Sequence, residues 1–286
     1  MESGKKHLIL FLVTVLALSS ANAAVIDTLQ VYSKTMKKNI PVIVVKPDNY
    51  ESIQELPVVF LLHGHSGNYL DYISRGKGIG TEKLADQYSV LLVCPDGGFN
   101  SWYWDSPVDP ASQYETFVSK ELIEAIDTKY KTIKNRTGRA ITGLSMGGHG
   151  ALYLAFRHQD IFGAAGSMSG GVDIRPFPEN WDMAKKLGAY AENHERWENN
   201  TVINMLHLLT GRSLAIIIDC GFDDFFFEMN ENLHRQLLYR NIQHDYITRP
   251  GAHNWSYWTN SINYEILFFK RYFDNSKLTF RANGNR

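Results

Sequence analysis

Short, continuous apolar runs alternate along this chain with longer stretches in which apolar residues recur at helical spacing. The apolar runs predict strands at residues 57–62, 90–94, 139–143, 163–168, 214–219 and 244–248. Strands that are apolar throughout are typical of parallel sheets covered on both faces. The helical spacing predicts helices at residues 114–129, directly after 145, at 228–240 and at 261–273. The order therefore predicts an α/β fold, with a mostly parallel central sheet flanked by helices on both faces.

Two segments depart from this alternation. Residues 28–45 consist of two alternating stretches joined by the polar turn 37–39, which predicts an antiparallel hairpin at one edge of the sheet. Residues 172–212 are long, polar and rich in helix formers, and we interpret them as a small cap-like insertion. Because no linker-like run divides the sequence, we expect a single catalytic domain over residues 24–286.

The N-terminus has the pattern of a secretory signal peptide. Lys5 and Lys6 precede the apolar run 8–18, and a triplet of small residues ends at Ala23. The apolar run is too short to span a bilayer comfortably. We therefore expect cleavage after Ala23, a mature chain that lies in the periplasm or outside the cell, and no stable membrane insertion.

Charge and cysteine content narrow the range of partners and cross-links. The formal net charge is -1, and Lys and Arg are scattered along the chain, which disfavours nucleic acid as a partner. Cys94 and Cys220 are too few for a disulfide framework and lie at the ends of predicted strands separated by several others. They are predicted to be unpaired thiols, while the oligomeric state is left open.

A G-x-S-x-G motif at residues 143–147 places Ser145 between a predicted strand and a predicted helix. This is the setting of a nucleophile elbow, in which a strained turn projects the serine hydroxyl from the sheet. The alternative is a glycine-rich turn with an incidental serine. The flanking strand and helix favour the elbow, with Ser145 as nucleophile.

A serine hydroxyl needs a base to accept its proton and an acid to orient that base. In this fold they are expected in the chain order serine, acid, histidine. His253 follows the last predicted strand and is our choice of base. The loop after the strand that ends at Asp219 offers Asp224 as the acid, with Asp223 as the alternative.

Stabilisation of a tetrahedral oxyanion calls for two backbone N–H groups. One is expected from Met146, directly after the nucleophile, and the other from His65, in the loop after the first long buried strand. The imidazoles of His63 and His65 then need no catalytic role. Since carboxylate or cysteine ligands are missing around them in the sequence, no metal is expected, and the reaction needs no organic cofactor.

Aromatic residues near the predicted strand ends are candidates for substrate binding. Trp102 and Tyr103 could form a wall suited to a sugar ring or an aromatic acyl group, and Trp255 is a further candidate. The same residues could equally serve packing that holds their loops.

Five motifs together resemble the esterase D-like family of α/β-hydrolases over nearly the whole mature chain. That family includes S-formylglutathione hydrolases, tributyrin-type, feruloyl and acetylxylan esterases, and mycolyltransferases. The resemblance implies a triad of Ser145, Asp224 and His253, and an oxyanion hole formed by the amides of His65 and Met146. The secretion signal and His65 disfavour the formylglutathione branch. The motifs are HGHSG at 63–67, SWY at 101–103, GLSMGG at 143–148, DCGFDD at 219–224 and GAHNW at 251–255.

The sequence thus predicts a secreted serine carboxylic-ester hydrolase. A feruloyl or acetyl ester of a polysaccharide is the first candidate substrate, alongside small esters. The alternatives are an acyltransferase that uses the same acyl-enzyme, a catalytically inactive carbohydrate-binding homologue, and a serine peptidase on the same fold.

Overall fold

The computed structural model describes residues 24–74 and 80–284, with side chains described up to residue 276. The predicted signal peptide, residues 1–23, lies outside these ranges. Within them, no helix combines the length and the apolar character that crossing a bilayer requires.

In the described part of the chain, eight strands form one sheet in the order β1-β2-β4-β3-β5-β6-β7-β8. The first two pairings, β1 with β2 and β2 with β4, are antiparallel, and all the others are parallel. This confirms the mostly parallel sheet. The strands are β1 Val25–Ser33, β2 Lys38–Lys46, β3 Val58–Leu62, β4 Leu91–Pro95, β5 Arg139–Gly143, β6 Ala164–Met168, β7 Ala215–Gly221 and β8 Asp245–Arg249.

Helices cover both faces of the sheet, as predicted. A π-helical turn joins α3 to α4, so that the two form one run over the predicted range 114–129. The last helix begins six residues before the predicted start at 261. The helices are α1 Asp71–Ser74, α2 Thr81–Tyr88, α3 Tyr114–Thr116, α4 Leu122–Lys129, α5 Met146–Arg157, α6 Ala184–Leu187, α7 His194–Asn199, α8 Phe227–Tyr239 and α9 Trp255–Gly284.

Two apolar cores form on opposite faces because consecutive strand residues point to opposite sides. Val58 and Phe60 of β3 pack into the core beneath α4, α5 and α8. Val59 and Leu61 of the same strand pack into the core beneath α2 and α9. Burial on both sides explains why this strand is apolar at every position.

The two segments that depart from the alternation have different structures. The hairpin predicted at 28–45 is confirmed as β1 and β2, with β1 at the sheet edge. The insertion 172–212 consists of α6, α7 and short 3-10 turns, and its Met183 and Trp197 are buried against the core. Its role as a cap within a single domain stays a prediction.

The two cysteines lie in different parts of the sheet. Cys94 is in β4 and Cys220 is in β7, with β3, β5 and β6 between them. Both thiols are buried and unpaired, which confirms the prediction. Burial raises the pKa of both well above the usual value of a thiol.

Candidate active site

Ser145 occupies a strained turn between β5 and α5. Its φ of 56° and ψ of -117° lie in a region that residues other than glycine rarely adopt. Backbone hydrogen bonds hold it there: its N–H donates to Met168 (2.9 Å), and its carbonyl accepts from His149 (3.0 Å). The turn directs the hydroxyl away from the sheet, as a nucleophile elbow does.

The two glycines of the motif are required by close backbone approach. A β-carbon on Gly143 would lie 2.5 Å from the carbonyl oxygens of Leu62 and Gly147. A β-carbon on Gly147 would overlap the carbonyl of Leu62 itself. Strand β3, the turn and α5 can therefore pack this closely only with glycine at both positions.

The structure brings Ser145, His253 and Asp224 together from three distant parts of the sequence. His253 Nε2 lies 2.8 Å from Ser145 Oγ, and its Nδ1 lies 2.9 and 3.0 Å from the two carboxylate oxygens of Asp224. An ionised carboxylate only accepts hydrogen bonds, so Nδ1 carries the proton and donates it. Nε2 is then free to accept the serine proton, which is the arrangement that nucleophilic catalysis requires.

Adjacent parallel strands explain how Asp224 reaches His253. The loops after β7 and β8 leave the same edge of the sheet side by side, and a β-carbon on Gly221 would overlap the carbonyl of Gly251. The Phe226 N–H donates to Asp224 Oδ1 at 2.8 Å. This contact fixes the carboxylate, whose side chain is 0% exposed, against an imidazole that is 14% exposed.

The other two aspartates of this segment lie elsewhere. Asp223 is exposed, and its backbone N–H donates to the carbonyl of Gly251 at 2.9 Å. Asp219 is still within β7, as expected, and accepts hydrogen bonds from Tyr257 (2.5 Å) and Arg249 (2.6 Å). Burial raises the pKa of Asp219, against the effect of these two partners. Among the described residues, neither carboxylate forms a hydrogen bond with His253.

The loop after β3 lies directly against the serine. A β-carbon on Gly64 would be 3.4 Å from the β-carbon of Ser145. Among the hydrogen bonds between described residues, none has the backbone N–H of His65 or of Met146 as its donor. Met146 is also the first residue of α5, where a helix presents unpaired N–H groups. Both predicted oxyanion donors thus lie close to the serine in sequence or in space.

The two imidazoles of this loop have different surroundings. His63 is buried; its Nε2 accepts from the Gly97 N–H (2.7 Å) and its Nδ1 lies 2.8 Å from the carbonyl of Gly64. These contacts connect the loops after β3 and β4. Burial lowers the pKa of the His65 imidazole, against the charge of Asp182. Within the described ranges, no three His, Cys, Asp or Glu side chains are grouped as metal ligands.

A family model described as putative esterase matches residues 33–269, which is most of the chain. The chain belongs to this esterase family. An acetyl esterase of Caldicellulosiruptor saccharolyticus is 28% identical over 256 residues, covering 81% of this chain and 92% of the relative. The acyltransferase Ag85B of Mycobacterium leprae, named a diacylglycerol acyltransferase/mycolyltransferase, is 29% identical over 275 residues, covering 83% of this chain and 81% of the relative.

A solved ferulic acid esterase superposes with a TM-score of 0.74 at 28% identity, covering 87% of this chain and 98% of that one. The α/β-hydrolase fold and the resemblance to the esterase D-like family are thereby confirmed. As a member of the esterase family, the protein is a carboxylic-ester hydrolase. Which esters it accepts depends on the surroundings of the site.

For Trp102 and Tyr103, the structure favours packing over ligand binding, the two interpretations that the sequence left equal. Trp102 and Tyr103 are 1% and 0% exposed, so neither ring offers a surface to a ligand. Trp102 stacks on Trp104, and the Tyr103 hydroxyl donates to the carbonyl of His63 at 3.0 Å. Both rings are buried and hold their loop by packing inside it. Trp255 is half-buried against Tyr72 and Trp258 and stays a candidate.

Two exposed rings that the sequence analysis missed flank the site of the esterase. Phe225 is 54% exposed with its ring centroid 4.2 Å from that of His253, and Phe99 is 58% exposed at 4.9 Å from His65. Trp181 of the insertion stacks on Phe225 at 6.0 Å. The position of Phe225 directly after the predicted acid was the signal that could have found it.

His149 was also missed, and it supports the elbow of the esterase from within the core. Its Nε2 accepts from the indole N–H of Trp104 (2.9 Å), and its Nδ1 lies 2.9 Å from the carbonyl of Gly171. The Gly171 N–H in turn donates to the carbonyl of Ser145 at 3.4 Å. Burial lowers the pKa of His149 to about 4, so the ring is neutral at pH 7.

Proposed function

We propose that this esterase acts by nucleophilic catalysis, with Ser145 as nucleophile, His253 as general base and Asp224 as the acid that orients it. The observation that supports the proposal most is the 2.8 Å hydrogen bond from Ser145 Oγ to His253 Nε2, backed by the Asp224 carboxylate at 2.9 Å. A serine hydroxyl is otherwise too weakly acidic to attack an ester at neutral pH.

In the acylation step, Ser145 Oγ attacks the ester carbonyl while His253 Nε2 takes its proton. The carbonyl oxygen becomes an oxyanion, which accepts hydrogen bonds from the amides of His65 and Met146. When the tetrahedral intermediate collapses, the C–O bond to the alcohol breaks and the imidazolium returns the proton to the leaving oxygen. The products are a free alcohol and an acyl-enzyme.

Deacylation repeats these steps with water. His253 takes a proton from water, the hydroxyl adds to the acyl carbon, and the serine oxygen leaves with that proton. Asp224 stabilises the imidazolium that forms in both halves and holds the tautomer with Nδ1 protonated. The cycle consumes one water per ester and returns the enzyme unchanged, with no cofactor.

For the substrate, we propose an acetyl or feruloyl ester of a polysaccharide. An acetyl esterase and a ferulic acid esterase are among the similar proteins that span most of the chain. The exposed rings of Phe225 and Phe99 lie beside the proposed base and the proposed oxyanion loop. Flat apolar surfaces of this kind suit a sugar ring or an aromatic acyl group.

Acyl transfer to an alcohol other than water is the second candidate function. Its support is the Ag85B relative, whose name is that of an acyltransferase and which covers a similar share of the chain. The two reactions share the acyl-enzyme and differ in the acceptor. Transesterification products that accumulate when sugar alcohols are added at constant ester would favour transfer.

We also propose that the protein is exported from the cytoplasm. The support is the sequence of residues 1–23, with two lysines, an apolar run and a terminal triplet of small residues.

Hydrolysis of an ester panel by the mature chain and two serine variants tests the proposal. The panel comprises p-nitrophenyl acetate and butyrate, methyl ferulate and acetylated xylan. Ser145→Ala is expected to lose roughly four to six orders of magnitude in kcat on every accepted ester. Ser52→Ala, on an exposed surface turn, is the matched control and should keep full activity. Unchanged activity in Ser145→Ala would refute the proposal.

A further inference from the structure

A polar cavity of about 1120 Å³ lies between α5, α8 and the insertion. Its lining combines guanidinium, carboxylate and amide groups with the apolar side chains of Pro107, Ile203, Met205 and Leu208. The polar side chains that line it include Asp105, Glu115, Arg157, Arg175, Glu198, Asn199, Asn200, Asn204, Asn232, Gln236 and Arg240.

The cavity is separate from the Ser145 site. Neither Ser145, Asp224 nor His253 lines it. Tyr153 and Arg157 of α5 do, and with a rise of 1.5 Å per residue they lie about 12 and 18 Å along the helix axis from the serine. The part of a substrate that binds in this cavity would therefore be remote from the reacting ester.

The charges of the lining indicate a neutral ligand. Three arginines, Arg157, Arg175 and Arg240, face three carboxylates, those of Asp105, Glu115 and Glu198. A phosphate or carboxylate ligand would meet as many negative groups as positive ones, and an apolar ligand would leave the amides and charges without partners. Hydroxyl groups, which both donate and accept hydrogen bonds, match a lining of this composition.

Ion pairs hold the central groups of the cavity in place before any ligand binds. Arg157 and Tyr153 both donate to Glu115, at 2.8 and 2.7 Å. Burial acts to raise the pKa of Glu115, but hydrogen bonds from His158, Tyr153 and Arg157 outweigh it and lower that pKa to about 2. Glu115 is thus ionised at neutral pH and fixed in orientation, which reduces the entropy lost on binding.

The insertion side of the cavity is fixed in the same way. Arg175 donates to Asp173 through two nitrogens, at 2.7 and 2.8 Å, and to Glu198 at 3.0 Å. The side-chain amide of Asn204 donates to Glu198 as well. Bidentate pairing leaves little freedom in the guanidinium.

Helix α8 contributes groups that have no such partners. Asn232 and Gln236 of α8 and Arg240, which directly follows the helix, are exposed and recur every four residues, so they lie on the same side of the helix, which lines the cavity. Among the described residues, none forms a side-chain hydrogen bond with them that would compete with a ligand. They can be truncated without removing core packing.

We propose that this cavity binds a neutral oligosaccharide segment of the substrate. It would hold the sugar chain while an ester group on that sugar chain reaches Ser145. The proposal deepens the polysaccharide esterase function and rests on it for its biological use. The binding itself is independent of catalysis, because no residue of the cavity belongs to the proposed triad.

Calorimetric titration of the mature Ser145→Ala protein with unsubstituted xylohexaose, cellohexaose and mannohexaose tests the binding without turnover. At least one hexasaccharide is expected to bind. In the same background, the combined variant Asn232→Ala, Gln236→Ala and Arg240→Ala should weaken it at least tenfold. Arg235→Ala, an exposed arginine of the same helix outside the cavity lining, is the matched control and should bind normally. Loss of binding in the combined variant alone supports the proposal.

Kinetics of the active enzyme distinguish this proposal from the proposed function. The combined variant should raise KM for acetylated xylan about tenfold and leave kcat on p-nitrophenyl acetate unchanged. Inactivity of the wild-type chain on every ester would contradict the esterase function and leave the titration as an independent result. The cavity proposal is overturned if none of the three hexasaccharides binds, or if binding is equal in the combined variant.

Discussion

Asp224 is the residue whose surroundings matter most for the proposed base. Its carboxylate has no solvent contact and receives hydrogen bonds from His253 Nδ1 and from the backbone N–H of Phe226. A buried negative charge with these two partners can hold only one tautomer of the imidazole. Exchanging the carboxylate for an amide keeps the volume and allows the wrong tautomer.

Asp224→Asn is therefore expected to lower kcat by roughly four orders of magnitude, with KM changed little. Asp223→Asn is the matched control one residue away: its side chain is exposed and forms no hydrogen bond with His253, so kcat should stay within a factor of two or so of the wild type. Steady-state kinetics on p-nitrophenyl acetate measure both. Equal losses in the two variants would contradict the assignment of the acid.

A substitution of Phe225 tests whether its ring is part of the proposed substrate surface. Its half-exposed ring lies against His253, while Phe222, exposed to a similar extent at 51%, packs on Phe227. Phe225→Ala should raise KM for methyl ferulate about 2- to 10-fold, since a ring-to-ring contact contributes about 0.5 to 1.5 kcal/mol. Phe222→Ala should not. A KM for methyl ferulate that is the same in both variants would remove Phe225 from the proposed substrate surface.

Helix α5 contains a neutral histidine in its first turn. His149 accepts from the Trp104 indole and contacts the Gly171 carbonyl, which lies beside the backbone of Ser145. Burial lowers its pKa from 6.5 to about 4 in the folded protein. Because the unfolded chain takes up this proton first, the stability present above pH 6.5 is lost as the pH falls from 6.5 towards 4.

The expected contribution of His149 to this loss is about 2 kcal/mol between pH 7 and pH 5. His149→Gln removes the titrating group, so its deficit in unfolding free energy relative to the wild type should shrink by about 2 kcal/mol over that range. Urea unfolding at the two pH values measures the deficit. Exposed His207→Gln is the control for the loss of a surface imidazole. A constant deficit for His149→Gln would show that His149 is not buried as a neutral ring.

Strands and helices could be predicted where the pattern of apolar residues along them follows their burial. Strand β3 is buried on both faces and is apolar at every residue, so its bounds follow from the sequence within one residue. The sequence has no such pattern that would show in which direction a loop side chain points. Tyr103 turns inward because Gly97 and Gly150 leave room for its ring, and Trp102 packs in the same way against Gly171, so both contacts join distant segments.

The site was predictable to the extent that the order of chain elements determines it. Ser145, Asp224 and His253 each follow a strand, and parallel strands bring those loops to one edge of the sheet. The polar cavity was not predictable, because its lining combines residues of α5, α8 and the insertion that show no shared motif.

In the whole molecule, the sheet and the insertion contribute different residues to the proposed sites. The sheet edge carries the proposed catalytic residues, and the insertion adds Trp181 beside Phe225 and Arg175 in the polar cavity. A substrate polymer would meet both surfaces of one protein.

Export predicts a defined mature N-terminus. When the full chain is expressed in a bacterial host with a secretion pathway, the protein recovered outside the cytoplasm should begin at Ala24. Intact-mass measurement reads the terminus directly. Replacing Ala23 by a bulky residue, as in Ala23→Phe, should block cleavage and leave the longer form. Recovery of uncleaved protein in the cytoplasm alone would contradict export.

Covalent labelling with a fluorophosphonate, followed by peptide mass analysis, tests whether Ser145 is the activated nucleophile. The probe reacts with a serine whose hydroxyl is activated by a neighbouring base. We expect one labelled peptide with the adduct on Ser145, much slower labelling in His253→Ala, and no adduct in Ser145→Ala. An adduct on another serine, or no adduct on a chain that hydrolyses esters, would contradict this expectation.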